Sequence, residues 1–232
     1  MAREDQGIDL LWGSRDKPAR PPRLALTVDR IAAAAIEVAD AEGLPSVSMQ
    51  QVAARLDVTK MALYRHVASK AELVAVMIES AVGEPPDLRT SPGGWRPRLV
   101  TWADLMRDTW RRHPWLPAAT TGERPTGPRE VGWTESAVAA LEGTGLDGAE
   151  RMDAVFLLSG HIRNTQSGAT AGTQPWTAEK HLRSILHEHR DRFPALHEAA
   201  RSTGGTSRDN GWDFGLNRIL DGLEVLIGQR TG

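Results

Sequence analysis

Apolar residues recur every three or four positions along most of this chain, the spacing that lines one face of an α-helix. Ile31, Ala34, Ala35, Val38 and Ala39 share a face over Val28 to about Glu42. Thr27 stands where an N-cap hydroxyl accepts a first-turn amide, and Asp29 suits the positive helix end. Gly43 and Pro45 then stop the helix. A second helix opens at Ser48, whose spacing to Gln51 is that of a capping box. It buries Val52, Ala53 and Leu56 and ends near Leu56. Asp57 and Val58 make a tight turn, and a third, short helix runs from about Lys60 to His66. Ser69 and Glu72 repeat the capping box and open a fourth helix through Val82, with Leu73, Val76, Met77 and Ile78 as its apolar stripe.

Gly83 to Gly94, with Pro85, Pro86 and Pro92, reads as a linker. Beyond it a helix spans Trp95 to Arg112 and stops before Pro114. A loop from Pro117 to Pro128 precedes helices over about Glu130–Glu142 and Asp147–Ser167; the second carries Met152, Val155, Phe156, Leu158 and Ile162. After a Gly/Thr-rich break from Gly168 to Pro175, Thr177 caps a helix to about Arg190, which Pro194 interrupts or ends. Gly204 to Gly211 reads as a loop. The last helix covers about Asp213–Arg230, with Leu216, Ile219, Leu220, Leu223, Leu226 and Ile227 at helical spacing. No strand pattern and no internal repeat is visible. The expected fold is all-α: a flexible arm over 1–25, a three-helix helix-turn-helix domain over 26–83, and a larger helical domain over 94–232.

Composition narrows the chemistry. The 232 residues contain no cysteine, which excludes disulfides and thiolate metal sites. No apolar run approaches the roughly 20 residues of a membrane span, and the first 23 residues lack the apolar core of a signal peptide, so a cytoplasmic protein is expected. The net charge of −2 argues against nonspecific coating of nucleic acid. Between Pro45 and Lys70, however, Arg55, Lys60, Arg65 and Lys70 face Asp57 alone. That local excess fits an anionic partner or a solvated face, and charge by itself leaves both open. The arm, with Pro18, Pro21 and Pro22 among Arg15, Lys17, Arg20 and Arg23, either touches a duplex or does little. Eight tryptophans, seven of them after Gly94, point to a bulky interior in the larger domain.

The segment from Ser48 to His66 has the mechanics of a DNA-reading unit. Its third helix presents Lys60, Met61, Tyr64 and Arg65 outward while Leu63 and Val67 point in. A helix of this width enters the major groove of a duplex. Lys60 can donate to guanine O6 or N7, and Met61 and Ala62 can meet thymine methyl groups. Tyr64, His66 and Lys70 stand where phosphates would lie, with Ser48, Gln50, Thr59 and Arg65 completing the candidate face; amides near Ser69 could add a phosphate contact. Helix-turn-helix pairs also occur in all-α proteins that bind no DNA.

The run L-T-V-D-R-I-A-A-A-A-I-E-V-A-D-A-E-G-L (26–44), followed by S-M-Q-Q-V-A-A-R-L-D-V-T-K-M-A-L-Y-R-H-V-A-S-K-A-E-L (48–73), resembles the TetR family of bacterial transcriptional repressors. The L-Y-x-H-V-x-x-K element (Leu63, Tyr64, His66, Val67, Lys70) carries most of the likeness. Near the other end, W-D-F-G-L-N-R-I-L-D-G-L-E (212–224) looks like the last helix of the tetracycline-repressor-type regulatory domain. The resemblance implies a homodimer held by the helices 147–167 and 213–230, a palindromic double-stranded operator, and a small-molecule effector bound between helices of a regulatory and dimerisation domain. The stripe from Leu216 to Ile227 would be satisfied by a partner or by packing within one chain.

Trp102, Met106 and Trp110, at i, i+4 and i+8, could line an effector cavity with Trp133 and Phe156, while His161 and Asn164 supply polar groups; Gln166 lies nearby. The same aromatics would serve as plain core. Such a lining favours an apolar or aromatic effector. The drug–magnesium site of tetracycline repressors cannot be laid on this sequence, so neither tetracycline, a metal nor a cofactor is expected. No phosphate loop, dinucleotide fingerprint or nucleophile elbow occurs, and His181, His187 and His189 are not spaced as a zinc pair. An enzyme is therefore not expected. An all-α carrier or hydrolase without DNA binding is the alternative.

Overall fold

Helix α1 (Val28–Glu42) begins where the Thr27 hydroxyl accepts the Arg30 amide at 3.2 Å and ends at Gly43, whose φ of 84° lets the chain reverse. A 3-10 turn, Leu44–Ser46, leads to α2 (Met49–Arg55), α3 (Lys60–Tyr64) and α4 (Lys70–Val82). These four helices form the head. α1 packs along α4 and against α2, and α2 packs on α3. Ile31, Val52, Leu63, Val67, Leu73, Met77 and Ile78 are buried between them, and removing such a side chain from water stabilises the head by about 1.5–3 kcal/mol each. The computed structural model describes residues 9–12, 25–122, 124–170, 180–202 and 210–231.

After a 3-10 turn at Leu88–Thr90 come α5 (Trp95–Arg112), the single turn α6 (Leu116–Ala119), α7 (Pro128–Ala140) and α8 (Gly148–Thr170). α9 (Lys180–Glu188), α10 (Pro194–Ser202) and α11 (Asn210–Thr231) complete the chain. α8 packs on α5, α6, α7 and α11, while α9 and α10 pack on each other. The head meets this second layer through α4, which touches α5, α6 and α7. Among the described residues there is no strand, and no helix is long and apolar enough to cross a membrane.

Several expectations need correction. The arm is not wholly without structure, because residues 9–12 form a helical turn. Leu11 is buried in the core, and the Trp12 indole donates to the Thr126 carbonyl at 2.9 Å. The third helix ends at Tyr64, with Arg65 as its cap, rather than at His66. α7 begins two residues early, since Pro128 already has the backbone angle of a first helical residue. For the same reason Pro194 starts α10 instead of ending its predecessor. α8 runs on to Thr170, past the break expected at Gly168. Thr177 and the segment from Gly204 to Asp209 lie outside the described residues. The Leu216 stripe is largely satisfied within the chain: Leu216, Leu220 and Leu223 are buried, and Ile219, Leu226 and Ile227 pack against the same core.

Candidate nucleic-acid interface and cavity

Two N-caps and one left-handed residue set the angle between α2 and α3. The Ser48 hydroxyl accepts the Gln51 amide at 3.2 Å, and the Thr59 hydroxyl accepts the Ala62 amide at 3.3 Å. Asp57 takes φ 54°, a conformation that Asp tolerates better than most residues. Its amide reaches the Ala54 carbonyl at 3.2 Å, and the Val58 amide reaches that of Ala53 at 3.0 Å. That pair of bonds is a Schellman stop, which turns the chain within four residues. Neither capping box closes fully. The Gln51 side chain bonds Glu42 instead, and Glu72 accepts the Ala68 amide at 2.7 Å.

With Leu63 and Val67 held inside, α3 shows the solvent Lys60, Met61 (69% exposed), Tyr64 (44%) and Arg65. Gln50, Thr59 and Lys70 are exposed as well, and Ser48, Ala62 and His66 are half-buried. Ser48 and Thr59 accept within their caps, which leaves each hydroxyl proton free to donate. Arg55 is withdrawn from the cationic set by Glu37, 2.6 Å away. Among the described residues no ion pair neutralises Lys60, Arg65 or Lys70.

In the second layer a partly open cavity of about 200 Å³ lies between α5, α7 and α8. Trp102, Met106 and Trp110 line it from α5, Trp133 from α7 and Phe156 from α8. The Trp102 indole donates to the Trp133 carbonyl at 2.8 Å, with the rings 6.4 Å apart and tilted by 58°. Trp110 and Trp133 are also buried, whereas Phe156 is 60% exposed and lines the cavity with one side only.

His161 and Asn164 lie outside this lining, contrary to expectation. The His161 ring stacks on Trp212 and its Nε2 is 3.0 Å from the Trp212 carbonyl, which ties α8 to α11. Gly215 permits this approach, since a Cβ there would lie 2.2 Å from the imidazole. Asn164 is exposed on α8. The charged groups at the cavity are instead Glu130 and Arg163. Glu130 is held by both guanidinium nitrogens of Arg124. Arg163 donates to the Pro117 carbonyl at 2.7 Å and the Thr120 hydroxyl at 2.8 Å, with its guanidinium over Trp110. Burial, together with the Arg124 charge, lowers its pKa below the ordinary guanidinium value, while Glu130 opposes the shift; the group stays cationic at neutral pH. In sequence both residues look like surface charges. The one available signal is that Arg163 follows Val155 and Ser159 at i+8 and i+4. Among the described residues no three His, Asp or Glu side chains converge to hold a metal ion. His187 and His197 lie with ring centres 5.7 Å apart across α9 and α10, and His189 is exposed; the His181 side chain lies outside the described set.

Comparison with known proteins agrees with this two-part arrangement. Residues 25–77 match the bacterial regulatory proteins of the tetR family, and residues 86–227 match the tetracyclin repressor-like C-terminal domain. The HTH-type transcriptional repressor DrrR1 of Streptomyces coeruleorubidus is 34% identical over 241 aligned positions, covering 97% of this chain and 87% of the relative. Apo ActR from Streptomyces coelicolor superposes with a TM-score of 0.75 at 24% identity, over 88% of this chain and 97% of ActR. ActR in complex with actinorhodin gives 0.73 at 25% identity, over 85% and 95%. With both of its halves matched, and a repressor relative aligned over nearly its whole length, the chain belongs to the TetR family of bacterial transcriptional regulators.

Proposed function

We propose that this protein is a ligand-responsive repressor that binds a palindromic operator as a homodimer and leaves it when an aromatic effector enters the tryptophan-lined cavity. The observation that carries the reading is α3, which buries Leu63 and turns Lys60, Met61, Tyr64 and Arg65 outward. The repressor DrrR1 supports the sign of the regulation, and the complex of ActR with actinorhodin supports control by a bound ligand; the aromatic lining of the cavity supports the class of effector. In this reading Lys60 reads guanine, Met61 and Ala62 pack on thymine methyls, and Gln50 lies beside the groove. Ser48, Thr59, Tyr64, Arg65, His66 and Lys70 hold phosphates. Trp102, Met106, Trp110, Trp133 and Phe156 hold the effector, oriented by Arg163 and Glu130.

A second copy covers the exposed apolar side chains of α8 and α11. Phe156, Leu157, Phe214 and Val225 are each more than half exposed, an arrangement that supports a self-complementary four-helix interface. Two-fold symmetry then sets the α3 pair about 34–36 Å apart, one turn of duplex. An effector releases the operator only through its preference for the state that fits DNA poorly, and about 1–3 kcal/mol of such coupling gives a 5- to 150-fold change.

Selection from a random-sequence duplex pool tests the reading. Enrichment of a palindrome is the expected result. A pool that stays random would favour a carrier without DNA binding.

A further inference from the structure

α7 begins without a cap of its own. Gly127, at the cap position, has no side chain, and Pro128 has no amide hydrogen. The free amides at this end are those of Arg129 and Glu130, and both are taken by one carboxylate from the head. Glu79 of α4, 6% exposed, accepts Arg129 N–H on Oε2 and Glu130 N–H on Oε1, each at 3.0 Å. The fit leaves no room for another residue at 127, because a Cβ there would lie 2.2 Å from the Glu79 carboxyl carbon.

α7 caps α4 in return. The Arg129 guanidinium donates to the Glu79 carbonyl at 3.2 Å and pairs with Glu84 at 2.7 Å. The Trp133 indole N–H lies 3.2 Å from the carbonyl of Val82, the last residue of α4, and 3.4 Å from that of its cap Gly83. These are orphan groups at a helix end, and α7 supplies the donors. Trp133 and Glu130 are also cavity walls. One residue therefore forms the wall against which an effector rests and holds the end of the helix that carries the head.

We propose that this reciprocal cap, Glu79 toward α7 and Arg129 with Trp133 toward α4, is the joint through which the contents of the cavity set the angle of the DNA-reading head. Glu79 and Trp133 act as positioning residues. A guest that turns the Trp133 ring withdraws its N–H from the α4 carbonyls and frees the head to move. The proposal rests on the effector reading above for its biological meaning, but the joint can be tested without effector or DNA.

Because the native chain lacks cysteine, Ala54→Cys in the head and Glu142→Cys beyond α7 take two spin labels cleanly. The labelled chain is diluted with excess unlabelled chain, so that the measured distance lies within one chain. Glu79→Gln keeps the shape but turns a donor toward an amide, and Trp133→Phe keeps an aromatic wall but removes the N–H. Both are expected to broaden and shift the 54–142 distance distribution, whereas Thr101→Ala, a change at an exposed position of α5 away from the cavity, leaves it as in the unsubstituted chain. Circular dichroism confirms folding; if Glu79→Gln does not fold, Trp133→Phe decides alone. A folded Glu79→Gln or Trp133→Phe chain with the unsubstituted distribution overturns the proposal. Equal broadening by Thr101→Ala does so too. A chain that binds no duplex would sink the proposed function and leave this distance result standing.

Discussion

The carboxylate of Asp40, at the end of α1, accepts the buried Trp115 indole N–H at 2.7 Å and lies 2.9 Å from His113 Nδ1. A head residue thereby holds two residues of the turn between α5 and α6. Asp40→Ala leaves the Trp115 N–H, on a residue only 4% exposed, without its partner. An unsatisfied buried donor costs about 1–3 kcal/mol, so the variant should melt several degrees lower by calorimetry. A wild-type melting temperature would show that the bond does not contribute.

Leu11 and Trp12 fasten the N-terminal segment across the same seam. Leu11 is 8% exposed and shares a depression with Val28, Ala32, Val76 and Pro128. Leu11→Ala should destabilise the chain by about 2 kcal/mol, the low end for a buried leucine. Chemical denaturation checks this; an unchanged midpoint would mean that the segment merely rests on the surface.

The ion pair between Arg96 of α5 and Asp221 of α11, 2.5 Å apart, predicts a pH effect of defined sign. The hydrogen bond from Arg96 holds the Asp221 pKa below its ordinary value, helped by Arg218 and opposed by slight desolvation. A depressed carboxyl pKa contributes stability that is present above the unfolded value and is lost as pH falls through the folded one. Arg96→Gln should move the Asp221 titration, followed by carbon-13 NMR, back upward. An unmoved titration would contradict the assignment.

Val225, 64% exposed on α11, and Leu157, 57% exposed on α8, test the paired state. Leu157→Asp with Val225→Asp would bury unpaired charge in the proposed interface. Light scattering should then report a monomer, and operator affinity should fall at least tenfold, since one head has half the contacts. A double variant that remains dimeric would place the interface elsewhere.

Local chemistry made much of the fold legible in the sequence. Thr27, Ser48 and Ser69 cap the helices they precede, and the stripe from Ile31 to Ala39 is buried as its period requires. What sequence could not supply was contact between distant elements. Glu79 reads as a surface charge until α7 brings two amides to it, and Arg163 reads likewise until Pro117 and Thr120 fold over it. His161 lies in sequence between the cavity-lining Ser159 and Arg163, yet its ring stacks on Trp212 of α11 instead. Phe156 and Leu157 are neighbouring apolar residues, and only the packing of α8 puts one of them at the cavity edge.

The central claim is that α3 and the start of α4 dock on a duplex. Its most direct test is the salt dependence of affinity for the selected operator, with and without Lys70→Ala. Each lost phosphate contact should lower the slope of log Kd against log salt by about 0.9, hence by nearly 2 for a dimer. A variant with the affinity and slope of the unsubstituted protein would contradict the docking of this face.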